Sequence, residues 1–182
     1  MTPATERRRS LLALLALGGL ARPARAAVAD VAVLDQDGRA LRFYSDLVQG
    51  RVVAINFVFT GCSAVCPLLG AHFASVQQSL GGEASQVGLI SVSIDPLNDT
   101  PAALRQWRDK FSMRPGWTLV TGRRNDIDRL LGSLGAAAPD PGAHTPFLLI
   151  VDGVRGGPWL RMDGLADPVQ VARALRQRSE RR

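Results

Sequence analysis

Apolar and polar positions along the chain alternate between two kinds of block. Residues 52–59 and 87–94 are nearly continuous apolar runs, the pattern of strands buried on both faces. Residues 147–151 form a third such run, and 117–120 a shorter, strand-like one. Between them lie segments with helical punctuation. Residues 67–80 predict a helix that tolerates Pro67 in its first turn and stops at Gly81-Gly82. A second helix starts with Thr100 as cap and Pro101 at the first helical position, and runs through Phe111. Asn125 or Asp126 caps a third to about Leu134, and Asp167-Pro168 opens a last one to about Gln177. Residues 31–34 and 40–43 flank Asp37-Gly38, a hairpin signal. Residues 154–160 are expected to pair with 147–151 across Asp152-Gly153, and 136–142 form a small, proline-punctuated loop. Trp107 and Trp117 fit core positions. No internal repeat and no low-complexity linker interrupts the pattern.

Strand–helix–strand–helix followed by a terminal hairpin and helix describes one α/β domain over residues 28–179. The order is that of a thioredoxin-like fold: a central mixed sheet flanked by helices, with an N-terminal β-hairpin. Strands 52–59 and 87–94 should run parallel, with 147–151 antiparallel beside them. An antiparallel strand begins where its parallel neighbour ends. His144, three residues before Phe147, is therefore expected near Cys62 and Cys66.

At 182 residues the chain can bury a core without staples. Its 46% hydrophobic and 21% charged content is ordinary for a globular protein. The formal charge of +6 changes little, because Arg7, Arg8, Arg9, Arg22 and Arg25 stand against Glu6 alone in residues 1–26. With few aromatics and no basic stripe elsewhere, nucleic-acid binding is not expected. Residues 1–26 read as an export signal: a triple-arginine head, a short apolar stretch from Leu11 to Leu20, and Ala24-Arg25-Ala26 as a cleavage site. The stretch is short for a bilayer span, which needs about 20 apolar residues, although an uncleaved inner-membrane anchor is the alternative. Arg8-Arg9-Ser10-Leu11-Leu12 also resembles a twin-arginine signal. No cysteine follows the stretch, so a lipid anchor is not expected. The expected location is the periplasm, where disulfides persist.

That compartment matters for the two cysteines, Cys62 and Cys66, which sit where an apolar strand runs into a helix. A helix N-terminus favours thiolate over thiol. A spacing of four puts both sulfurs on one side of a helical turn, close enough for a disulfide or a shared soft metal ion. From spacing alone an isolated pair in an exported protein is most simply a structural disulfide. Its short loop argues otherwise, since short loops remove little unfolded-state entropy. Two thiolates and an imidazole suit copper: sulfur selects Cu(I) by softness, and imidazole accommodates Cu(I) and Cu(II). A lone loop histidine such as His144 is most simply an exposed residue. His72 falls within the predicted helix and reads as a helix-face residue. Asp95, closing a buried strand, reads as turn chemistry together with Asp99-Thr100-Pro101.

Three ordered blocks carry a resemblance. Asn56-Phe57-Val58-Phe59-Thr60-Gly61-Cys62 with Cys66-Pro67 resembles the signature of the SCO/SenC family of copper-handling thioredoxin-like proteins. Ser91-Val92-Ser93-Ile94-Asp95-Pro96-Leu97-Asn98-Asp99-Thr100-Pro101 is similar to that family's strand-end run. His144 stands eight residues before Asp152, the spacing the family uses for its histidine ligand. The resemblance covers roughly residues 31–175. It implies Cys62, Cys66 and His144 as copper ligands, with Cys62 and Cys66 also able to cycle between dithiol and disulfide. The chain departs from the pattern at Ser63, where proline is usual, and at Ala143, where an acidic residue is common. Loss of that carboxylate would shift copper affinity. Thr145-Pro146 lies where redox thioredoxins carry a cis-proline, so a cis bond is expected there.

Two functions follow from the resemblance. One is a periplasmic copper-binding metallochaperone that delivers copper to, or maintains the thiols of, the binuclear copper site of a respiratory oxidase. The other is a thiol-disulfide oxidoreductase, with Cys62 attacking and Cys66 resolving, without a delivery role. A peroxidase is disfavoured because Thr60-Gly61-Cys62 lacks the proline-threonine-x-x-cysteine spacing. The expected partners are a copper-receiving oxidase subunit or its assembly factors, with membrane contact only through the signal segment or the client, and the expected state is a monomer.

Overall fold

The structure is a computed structural model that describes residues 28–143 and 145–180. The export signal expected at 1–26 therefore lies outside the described residues. Among these residues no helix is long and apolar enough to cross a membrane.

Seven strands form one mixed sheet: β1 (Ala32–Asp35), β2 (Ala40–Arg42), β3 (Val52–Val58), β4 (Val87–Ser93), β5 (Trp117–Thr121), β6 (Phe147–Asp152) and β7 (Leu160–Asp163). Their order is β2-β1-β5-β4-β3-β6-β7. Helices α1 (Cys66–Leu80), α2 (Pro101–Lys110), α3 (Arg124–Ser133) and α4 (Pro168–Glu180) cover the two faces. As expected, β3 runs parallel to β4 and antiparallel to β6. The mixed sheet with its helices is the thioredoxin-like arrangement.

The continuous apolar runs are explained by burial on both sides. Every residue of β3 and β4 is buried. Val52 and Ala54 pack with Phe73 and Val76 of α1 and Val171 of α4. Val53, Ile55 and Phe57 pack on the opposite face with Ile127 and Leu130 of α3. Each fully buried large side chain contributes about 1.5–3 kcal/mol. Polar residues interrupt the central strands at one level. The Trp117 indole N–H donates to Ser91 Oγ at 2.9 Å, and that hydroxyl donates to Asn56 Oδ1 at 2.6 Å. The relay ties β5, β4 and β3 together beneath the apolar layer. Asn56 Nδ2 finds no hydrogen-bond partner among the described residues.

Local expectations fail where a distant residue decides. The strand expected over 40–43 ends at Arg42, and Phe43–Val48 winds into a six-residue π-helical turn. Asp30 accounts for this, because its carboxylate accepts from the backbone N–H groups of Tyr44 and Ser45 and from the Ser45 hydroxyl. Helix α3 is capped by Arg123 without a side-chain hydrogen bond, so neither Asn125 nor Asp126 is its cap. Asp126 sits one turn in and pairs with Arg129. The β6 partner is β7, beyond residues 154–159, rather than a strand directly across Asp152-Gly153. Asp152-Gly153 does open a turn, closed by Gly156 N–H to Asp152 O at 2.9 Å, but Gly153 also docks its backbone on a neighbouring segment. Its N–H donates to Arg51 O at 2.8 Å and its carbonyl accepts from Gly50 N at 3.0 Å. A Cβ there would overlap the Val48 carbonyl, so only glycine fits. No cis peptide bond occurs among the described residues, so Thr145–Pro146 is trans, the form favoured by about 0.5–1 kcal/mol for a bond before proline.

Two predictions test this framework. Ser91→Ala would leave the Trp117 N–H and the Asn56 amide without their shared partner, a loss of about 1–3 kcal/mol in urea unfolding. Asp35 is buried in the β1–β2 hairpin. Burial alone would raise its carboxyl, but hydrogen bonds from the Arg39 and Asp37 backbones and the Arg39 guanidinium outweigh it and hold it below the usual range. A depressed folded-state value stabilises the fold at neutral pH, and that contribution disappears as pH falls through it. Asp35→Asn should be less stable than wild type at pH 7, with the difference shrinking toward pH 3 in a urea-midpoint series.

Candidate metal centre

Parallel pairing of β3 and β4 ends with Val58 opposite Ser93. One further main-chain bond, Ile94 N–H to Val58 O at 3.0 Å, closes the ladder. The chain then turns sharply, with Cys62 N–H donating to Phe59 O at 3.3 Å, and α1 begins at Cys66. Val65 occupies the cap position without a side-chain cap. The Cys62 sulfur supplies an acceptor instead: Cys66 N–H points at Cys62 Sγ, 3.4 Å away. Both cysteines are free thiols.

The two thiols are unequal. Cys62 is half-buried, whereas Cys66 is buried against Val58, Leu69, Leu104 and Trp107. Burial alone would raise the Cys62 thiol. Hydrogen bonds from the Cys66 backbone and thiol, and from the Ala64 and Val65 backbones, overcome it and bring the thiol below its ordinary value. Burial pushes the Cys66 thiol up to about 12, and the neighbouring Cys62 and Asp99 charges add to the rise. The same short segment thus eases ionisation of one thiol and hinders that of the other.

Both cysteines line a cavity of about 290 Å³ with Phe59, Ile94, Pro141 and Gly142. His144 itself lies outside the described residues. The segment leading to it borders the cysteine cavity, and β6 begins beside the end of β3, with the Phe147 and Phe57 ring centroids 4.9 Å apart. Among the described residues no three histidine, cysteine or carboxylate groups come together to hold a metal. His72 is drawn elsewhere: it is buried, and its Nε2–H donates to the Ala166 carbonyl just before α4. Asp95 performs turn chemistry, its carbonyl accepting from Asn98 and Asp99 and its carboxylate from the Asn98 amide.

Sequence reading missed Asp99. This carboxylate is buried and accepts from the Thr60 N–H at 2.9 Å, the Thr60 hydroxyl at 2.6 Å and the Ser93 hydroxyl at 2.6 Å. Burial raises its carboxyl above the usual range despite those three bonds. Its position before the Thr100 cap made it look like exposed turn chemistry, and only the strand ends carrying Thr60 and Ser93 could have hinted otherwise.

The sequence matches the family model described as SCO1/SenC over residues 21–156, well over half of the chain. The chain belongs to the SCO1/SenC family. A SCO1 protein homolog of Bacillus subtilis strain 168 is 34% identical over 89 residues, 48% of this chain and 45% of that protein. This SCO1/SenC chain spans about half the length of the curated relatives it matches. Among solved structures, BsSco aligns with a TM-score of 0.72 and 25% identity, covering 86% of this chain and 95% of that one. BsSco is described as a member of the Sco family of cytochrome c oxidase assembly proteins with a disulfide switch. Copper-bound ScoI of Bradyrhizobium japonicum shares the fold, with a TM-score of 0.66 and 24% identity over 81% of this chain and 96% of that one.

The asymmetry of the two thiols in this SCO1/SenC protein is measurable. Under limiting iodoacetamide at pH 8, Cys62 should be alkylated at least tenfold faster than Cys66, read by peptide mass spectrometry. Equal rates would contradict the geometry described.

Proposed function

We propose that this protein is an exported copper carrier that uses Cys62, Cys66 and His144 to hold copper as cargo and passes it to the binuclear copper site of a respiratory oxidase. The observation that carries the reading is the shared cavity: both free cysteines and the segment two residues short of His144 line it together. Two thiolates and one imidazole make a soft, incomplete donor set, suited to Cu(I) and accommodating Cu(II). With only three protein donors, an incoming cysteine or histidine of the client can displace them stepwise. The thiols must be reduced and deprotonated to bind, so oxidation of the pair empties the carrier. The oxidase-assembly description of BsSco supports the choice of client. Residues 1–26 are read as the export signal, which places the protein in the periplasm, in its twin-arginine or general form, ahead of one domain over 28–179.

A second reading draws on the unequal thiols. The Cys62 thiolate attacks a client disulfide, forming a mixed disulfide and releasing one client thiolate. Cys66 then displaces the second client sulfur, leaving a Cys62–Cys66 disulfide and a reduced client pair. The two activities serve the same client and can share one protein.

Titration of the reduced protein with Cu(I) against a chromogenic chelator decides between them. The carrier reading expects one copper per chain, lost in Cys62→Ser and Cys66→Ser and weakened roughly tenfold or more in His144→Ala. Absence of binding by the wild type, with thiol–disulfide exchange intact, would overturn it in favour of the second reading.

A further inference from the structure

Main-chain pairing between β3 and β4 stops at the Ile94–Val58 bond, yet the loop that carries Cys62 continues beyond it. The next link is made by a side chain. Asp99 Oδ1 accepts both the backbone N–H and the hydroxyl of Thr60, while Oδ2 accepts the Ser93 hydroxyl. Ser93 Oγ in turn accepts from Asp95 N–H at 3.1 Å. The carboxylate is itself fixed, because Asp99 N–H donates to Asp95 O at 2.9 Å and the following residue, Thr100, caps α2 through Ala103 N–H. Asp99 is almost wholly buried, at 1% exposure, so water does not substitute for it.

We infer that Asp99 is a positioning residue for the thiol pair: it pins Thr60 to the end of β4 and α2, and so fixes where Cys62 stands relative to Cys66. Thr60 is two residues from Cys62, and only the Phe59–Cys62 turn lies between the clamp and the sulfur. Cys66 is held independently, as the first residue of α1 packed among Val58, Leu69 and Trp107. One sulfur is therefore anchored by the helix and the core, and the other by a carboxylate from a different crossover of the sheet. Releasing the carboxylate disperses Cys62 over more positions while Cys66 stays in place. The consequence is a lower effective concentration of one thiol toward the other. The inference rests on the cysteine pair being the working site, but not on copper.

The test reads the pair without metal. Purified protein is equilibrated with glutathione buffers, in which protein dithiol and oxidised glutathione give protein disulfide and two reduced glutathiones. The fraction of Cys62–Cys66 disulfide gives the equilibrium constant. Asp99→Ala should lower that constant about tenfold. Thr60→Val, which removes one of the two bonds to Oδ1 and leaves the carboxylate, should lower it severalfold and keeps the test alive if Asp99→Ala does not fold. The double variant should fall no further than Asp99→Ala alone, since both act on one link. Asp99→Asn retains an acceptor for the Thr60 N–H and should recover most of the wild-type value. Asp35→Asn, destabilised at the far hairpin, should leave the constant unchanged. A wild-type constant in folded Asp99→Ala or Thr60→Val, or an equal fall in Asp35→Asn, would overturn the inference. Because no copper is present, a failure of metal binding in the titration above leaves this result independent.

Discussion

In-register pairing of β3 with β4 across all seven residues of each strand determines where the chain is released at the loop end of the sheet. Parallel strands buried on both faces must finish together, because a longer strand would expose unpaired backbone. Val58 and Ser93 are that finish, and both crossovers leave from the same level. The antiparallel neighbour β6 has to start there as well. Three segments far apart in sequence thereby meet at one edge: the cysteine turn, the Asp95–Asp99 turn, and the loop that reaches Pro141 and Gly142. Such a convergence at the carboxyl ends of parallel strands is the ordinary setting for a ligand site in an open α/β sheet.

Once the ladder ends, the cysteines are constrained by one main-chain turn bond, Cys62 N–H to Phe59 O, by side chains and by a helix terminus. Helix α1 restrains Cys66 by burying it, and the same burial makes its thiol a poor acid. The free N–H groups of that helix end gather around Cys62 and make its thiol a better one. Stability and reactivity are therefore set by the same few atoms. The Cys62 sulfur takes up one of the N–H groups that an uncapped helix start leaves open.

The sheet and its helices were legible because burial on both faces writes itself as unbroken apolar runs, and because Thr100-Pro101 and Gly81 act locally as cap and stop. Gly81 does adopt a positive φ, 56°, open to glycine. The π-helical turn after Arg42 was not legible, since its organiser, Asp30, lies outside any local window. Asp152-Gly153 was legible as a turn, but not that Gly153 there also lets two backbones touch. At the site, the cysteines announced themselves by type and spacing. Asp99 did not, because an aspartate before a helix cap has the same sequence appearance whether it faces water or is sealed beneath a strand end.

The outer strands of the sheet are short: β2 has three residues and β7 four. A strand that length offers a visiting chain only a handful of main-chain bonds, so neither edge is a template for extending the sheet. The loop end instead opens a cavity in which Cys62 is half-exposed and Cys66 lies buried behind it. On the carrier reading proposed above, contact is confined to that end and made through side chains rather than through an added strand.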